Sequence, residues 1–141
     1  MTTNKRLYTL GAGEKSRVRD QLATLLSAES RVAFACLYGS FAESQPFHDV
    51  DVGVYLRDDQ LLGAVSLELD LAQRLSEAVK LPVDVRILNA APVPFLYHVL
   101  KGQILVSREE ERLASVMEDT IRRYLDIAPL LRHYTQEAFA G

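Results

Sequence analysis

Apolar residues recur along this chain in two rhythms, at alternate positions or at threes and fours, and each change of rhythm marks a new element. From Glu14 to about Ala28, Val18, Leu22, Leu25 and Leu26 fall at helical spacing. Glu14 sits at the end where an acidic residue suits the helix dipole. Gly11-Ala12-Gly13 just before it reads as a turn and helix start after a short irregular lead-in, not as a phosphate loop, because no strand and helix flank it in the required way. Arg31 to Tyr38 is the first strong strand, and Val50 to Leu56, with alternating valines, is the second. Between them Ser40 to about Ser44 is expected to form a short helical turn, ended by Pro46.

After the polar turn Arg57-Asp58-Asp59-Gln60, the spacing predicts a long helix over Leu61 to Lys80, with Leu62, Val65, Leu69, Leu71, Leu75 and Val79 as core positions. Pro82 opens a third strand, Val83 to Leu88, in which Val83, Val85 and Ile87 share one face and Asp84 and Arg86 the other. Pro94 to Lys101 reads as a short helix closed by Gly102 at its C-cap, and Gln103 to Ser107 as a brief fourth strand. Arg108 to about Phe139 reads as helical, with Leu113, Met117, Ile121, Tyr124, Leu125 and Ala128 at threes and fours, and Pro129 is expected to bend or restart it. The last stretch, Leu130 to Phe139, is rather apolar for a terminal piece and points to packing against this domain or a partner. The sum is an α/β chain.

Length and composition bound the function. The chain's 141 residues suit one domain, 1–141, and 48% hydrophobic with 25% charged residues is close to the globular average. A net charge of −3, with Lys and Arg scattered, gives no electrostatic footprint for nucleic acid. Cys36 is the only cysteine, which excludes an internal disulfide and a cysteine zinc site, and in an apolar run it is expected to be a small buried hydrophobe. No signal-peptide pattern and no membrane-length apolar run are visible, so the expected location is the cytoplasm.

The chemistry concentrates in Leu37 to Tyr55, LYGSFAESQPFHDVDVGVY. In an extended strand Asp49 and Asp51 project together while Val50, Val52 and Val54 face the other way. Two neighbouring carboxylates repel and resist burial, and a hard divalent cation such as Mg²⁺ relieves both costs. Gly39 lets the backbone approach closely or take a positive φ, and Ser40 offers a hydroxyl and an N–H where donors can meet an anion. Asp84, an acidic residue in an otherwise apolar strand, is the third carboxylate of interest, with a salt bridge to Arg86 or an edge-strand position as the alternative. Three carboxylates beside a Gly-Ser turn suit two-metal phosphoryl chemistry.

Gly39-Ser40, Asp49-Val50-Asp51 and Asp84 resemble the signature of the DNA polymerase β-type nucleotidyltransferase superfamily, and within it the minimal nucleotidyltransferases, or MNT proteins. The likeness covers nearly the whole chain. VDVRILNAAPVPFLYHVLKGQILVS is similar to that group's third-strand segment with the helix and strand after it, and YLDIAPLLRHYTQEAF to the tail of MNT antitoxins encoded beside HEPN toxins, which are helical ribonucleases. The resemblance implies a small mixed sheet flanked by helices, with a helical C-terminal segment over about 108–141. It implies transfer of AMP from ATP to a tyrosine of a HEPN toxin, which neutralises the toxin in a hetero-oligomer. Gly39 and Ser40 would position the nucleotide phosphates, Asp49 and Asp51 would bind two Mg²⁺ ions, and Asp84 would complete one metal site and act on the attacking hydroxyl, as base or through the metal.

Phe41 to His48 is eight residues, two shorter than the spacer common in the family, and His48 stands where a serine often precedes the first aspartate. His48 is expected on the solvent side of its loop, with metal or phosphate contact as the alternative, and His98 and His133 on helices away from the motif. Two other functions share the motif: a small-molecule nucleotidyltransferase of the aminoglycoside type, for which the chain looks short, and a non-catalytic antitoxin that masks its toxin by binding.

Overall fold

The computed structural model describes residues 6–58 and 62–139. The elements run α1 (Ala12–Ser27), β1 (Val32–Tyr38), α2 (Gly39–Ala42), β2 (Val50–Leu56), α3 (Ala64–Val79), β3 (Val83–Ile87), α4 (Val93–Leu100), β4 (Gln103–Ser107) and α5 (Glu110–Phe139). The four strands form one sheet in the order β3-β2-β1-β4. β1 is antiparallel to both β2 and β4, and β2 is parallel to β3, so the sheet is mixed. β1 lies inside and is buried at all seven positions, which is why VAFACLY is an unbroken apolar run instead of an alternating one.

Helices cover both faces. On one, Val18, Leu22 and Leu26 of α1 and Leu71, Leu75 and Val79 of α3 pack on Leu37, Val50, Val52 and Val54. On the other, Leu96, Val99 and Leu100 of α4 pack on Phe34, Cys36 and Tyr38, with Leu113, Val116 and Met117 of α5 alongside. β2 therefore sends its valines to the α1/α3 face, and Asp51 and Gly53 to the α4 face. Gly53 has no room for a side chain there, because a Cβ would press on Val99 and Leu88.

Two expectations need correction, and others are narrowed. The α3 helix begins at Ala64, and Leu62, Val65 and Leu69 are 88, 70 and 69% exposed. The buried stripe is instead Ala64, Leu71, Leu75 and Val79, because a helix lying on one face of a sheet has a single inward stripe and the apolar residues outnumber its positions. Asp59 and Gln60 of the expected turn, and Leu61, lie outside the described residues. Gly102 is not a left-handed cap. Lys101 caps α4 in a right-handed conformation, and Gly102 is needed because a Cβ there would collide with the Leu37 carbonyl oxygen. Pro129 does not restart α5, which runs through it. The carbonyl it leaves without an N–H belongs to Leu125, on the exposed side where water can serve. Of the apolar tail, Leu130 and Tyr134 are exposed, and the side chains of Ala138 and Phe139 lie outside the described residues. Among the described residues no helix is long and apolar enough to cross a membrane.

Truncating the two kinds of α3 leucine should separate them. Leu75→Ala should lower the unfolding free energy by about 2–5 kcal/mol, and Leu69→Ala by no more than about 0.5 kcal/mol, in urea denaturation followed by circular dichroism.

Candidate active site

Strand register builds the site. Tyr38 is paired with Asp51 across the β1–β2 ladder, and Asp51 with Asp84 across the β2–β3 ladder. The three residues form a row across adjacent strands, and paired residues project to the same face of a sheet. Tyr38 belongs to the α4-side cluster, so the row lies on the α4 side, at the end of the sheet where β1 leaves for α2. Gly39 follows directly, with φ +79, a backbone region that glycine enters at little cost. The Asp51 carboxylate lies so close against Gly39 that a Cβ there would overlap Oδ2. Ser40 is half-buried in the first turn of α2.

The electrostatics are those of crowded carboxylates. Burial, then the charges of Asp84 and Asp49, push the Asp51 pKa from 3.8 up to about 6, against smaller opposing effects of Arg86 and His98. Burial and the same carboxylates Asp51 and Asp84 raise the Tyr38 phenol well above its ordinary value. Asp84 is held by Arg86, whose Nε donates to Oδ2 at 3.3 Å, and β3 is an edge strand. Both features of the alternative reading of Asp84 are thus present, yet Asp84 still stands beside Asp51. Among the described residues no set of three His, Cys, Asp or Glu side chains is gathered closely enough to hold a metal ion. The donor set itself fits a hard divalent ion: it is oxygen-only, two of its members are register partners, and Asp51 carries the strain that a cation would relieve.

The turn after Gly39 is braced from several directions. Gly39 and Ser40 carbonyls accept from the N–H groups of Glu43 and Gln45 at 3.1 Å each. Lys15, only 5% exposed, donates from Nζ to the Phe41 carbonyl at 3.1 Å and lies over the Phe41 and Phe47 rings. Burial, with Arg19 adding to it, lowers its pKa. Gln103 donates to the Ala42 carbonyl at 3.2 Å. Farther along the spacer Tyr8 and Phe47 exchange backbone bonds of 2.8 and 3.0 Å, and His48 donates from Nδ1 to the Arg6 carbonyl at 3.0 Å.

His48 is accordingly exposed and used as a loop brace. His98 is not remote from the motif: its ring meets Tyr38 edge-on at 5.9 Å, and it lines a cavity together with Gly39. Lys101 lines the same cavity. Neither carries a sequence signal, since α4 is brought to the row only by packing of Val99 and Leu100. Tyr38 could have been found, because it immediately precedes Gly39 and shares the strand parity of the buried Phe34 and Cys36. Cys36 is buried and free, its thiol pushed up to about 12 by burial, as suits a packing residue.

The chain matches the family model described as "Polymerase beta, Nucleotidyltransferase" over residues 20–111, which include all five candidate residues. Among solved structures it is similar in fold to a chain from a tri-AMPylated Shewanella oneidensis HEPN toxin in complex with MNT antitoxin, at 19% identity and a TM-score of 0.66 over 88% of this chain and 98% of that one. A chain of the toxin–antitoxin MntA–HepT aligns at 18% identity and 0.65, over 87% and 97%. One from a toxin–antitoxin with AMP-PNP aligns at 18% and 0.64, over 92% and 98%. No curated protein matches the sequence.

The raised Asp51 pKa makes a signed prediction. A carboxyl that holds its proton more tightly when folded stabilises most below its unfolded pKa, and that contribution is lost as pH rises through about 6. In metal-free buffer, Asp51→Asn should match the parent near pH 3.5. Above pH 6 it should be the more stable by roughly 1–2 kcal/mol, a figure reduced for solvent screening of a half-buried group. Thermal melting across this range provides the measurement.

Proposed function

The chain belongs to the polymerase β nucleotidyltransferase family, and we propose that it is an antitoxin that transfers AMP from ATP to a tyrosine hydroxyl of a HEPN-type toxin. The observation that carries this reading is the row Tyr38–Asp51–Asp84 set against the left-handed Gly39. It is a crowded set of carboxylates beside a glycine turn, the kind of backbone that can approach a phosphate closely. The partner and the nucleotide are supported by the similar folds, one solved with a tri-AMPylated HEPN toxin and another with AMP-PNP.

In this reading Asp49 and Asp51 hold two Mg²⁺ ions, with Asp84 completing one of the two sites. When bound, the ions supply neutralising charge for the triphosphate and for the pyrophosphate that departs. Gly39 and Ser40 hold the nucleotide phosphates. The toxin tyrosine oxygen forms a bond to the α-phosphorus as the bond from that phosphorus to its bridging oxygen breaks, and pyrophosphate leaves with the bonding pair. Asp84, half-exposed on its edge strand, takes the hydroxyl proton. Tyr38 is an unsuitable acceptor itself, because burial and the neighbouring carboxylates hold its phenol protonated. The exposed apolar residues of α5, Leu125, Leu130 and Tyr134 among them, give the toxin a surface to dock on. We place the pair in the cytoplasm.

Co-expression with a cognate HEPN-type toxin followed by intact-mass measurement should show the toxin heavier by one AMP or a multiple. Asp49→Ala and Asp51→Ala should each slow AMP transfer from labelled ATP by at least about a hundredfold. Unchanged labelling in both variants, or full neutralisation by the double variant with no adduct, would overturn the catalytic reading.

A further inference from the structure

The inward stripe of α1 is Lys15, Val18, Leu22 and Leu26. Its first position, where the spacing has room for another apolar residue, is held by a lysine only 5% exposed, the one charged side chain buried among the described residues. Burying an ammonium is costly unless the site gives it partners. The spacer after Gly39-Ser40 provides them. Lys15 Nζ donates to the Phe41 carbonyl at 3.1 Å, and it lies 4.9 Å from the centre of the Phe41 ring and 5.6 Å from that of Phe47, both within range of cation–π attraction.

These two phenylalanines mark the ends of the spacer. Phe41 directly follows Ser40, and Phe47 stands two residues before Asp49. One ammonium on α1 therefore reaches the end that carries the turn and the end that delivers the aspartates. Between them Glu43 to Pro46 is exposed, and Ser44 is held at φ 61, a left-handed conformation that a residue with a Cβ keeps only when its surroundings impose it. The Ser44 N–H donates to the same Phe41 carbonyl at 3.3 Å, so Lys15 and the strained residue meet at one oxygen. An apolar side chain in place of Lys15 would fill the space, but it would bond no carbonyl.

We propose that Lys15 is a positioning residue for nucleotide binding: by holding the Phe41 carbonyl and both spacer rings from α1, it sets the separation between the Gly39-Ser40 turn and the Asp49/Asp51 pair. This role rests on the transferase reading, in which the turn holds phosphates and the aspartates hold the metal ions that bridge to them, so that one ligand spans both. Lys15 touches no reacting atom and acts through the turn.

Lys15→Met keeps the length of the side chain and removes its charge and its donor. A buried ammonium is thereby exchanged for an apolar group among apolar neighbours, so the melting temperature should equal or exceed the parent's. Affinity for ATP with Mg²⁺, measured by calorimetric titration of the full chain well below the melting temperature, should nevertheless fall by about tenfold, the loss of one charged hydrogen bond. Lys15→Arg, which keeps a cation and an N–H donor, should recover most of that loss. Phe47→Leu should show a smaller loss, and combined with Lys15→Met less than the product of the two, as for groups that act together. A lysine that only supports the fold gives the opposite split, a lower melting temperature with ATP affinity intact, and that result would overturn the role. Equal losses in Lys15→Met and Lys15→Arg, or no ATP binding by the parent, would overturn it as well. Should Lys15→Met fail to fold, Phe47→Leu decides, and unaltered ATP affinity there counts against the role. The transferase reading fails separately. ATP binding that depends on Lys15, without AMP on the toxin, would remove AMP transfer and leave the role of Lys15. Toxin adducts with ATP binding unimpaired in Lys15→Met would do the reverse.

Discussion

The site depends on the register of three strands. Asp51 stands beside Asp84 and Tyr38 only because Val50, Val52 and Val54 are committed to the opposite face, where α1 and α3 cover them. A slip of one residue would turn the valines toward α4 and bury Asp51 among leucines, a rearrangement opposed by several buried side chains at once. Hydrophobic burial on one face thus fixes charged chemistry on the other.

That arrangement holds groups together which would separate if free. Asp51 keeps its proton to about pH 6, Tyr38 is held protonated, and Asp84 leans on Arg86. Each is a sign of negative charge gathered in one place. Electrostatic cost of this kind persists only where the surrounding framework is well packed, and β1, buried at every position, is the rigid member here. Perturbed carboxylates in such a setting are characteristic of sites that meet charge in a ligand.

The shortened spacer between the turn and the aspartates is a packed segment. Phe41 and Phe47 are fully buried and meet edge to face at 4.9 Å. The buried Lys15 fastens the Phe41 carbonyl, and residues Arg6 to Tyr8 bind the segment from outside. The lead-in before α1 therefore acts as a brace for the loop. A spacer two residues shorter than the family's is accommodated because its two aromatic rings turn inward and anchor it at both ends.

The sequence by itself determined the elements and most of the motif. β2 and β4 begin and end where alternation and turn residues place them, and β1 and β3 differ by one residue at an end, because local period and backbone chemistry decide such boundaries. The register partnership of Asp51 with Asp84 and the positive φ of Gly39 follow from strand parity and a Gly-Ser turn, which are local patterns. Tertiary structure decided what distance along the chain conceals. Leu62, Val65 and Leu69 share helical spacing with Leu75, but only the docking of α3 on the sheet selects which stripe is buried. Gly102 looked like a helix cap, and only the approach of β1 shows that it makes room for a carbonyl. His98 and Lys101 carry no local signature at all. They reach Gly39 because α4 packs its apolar face on β1, and periodicity names the face that packs without naming the partner it packs against.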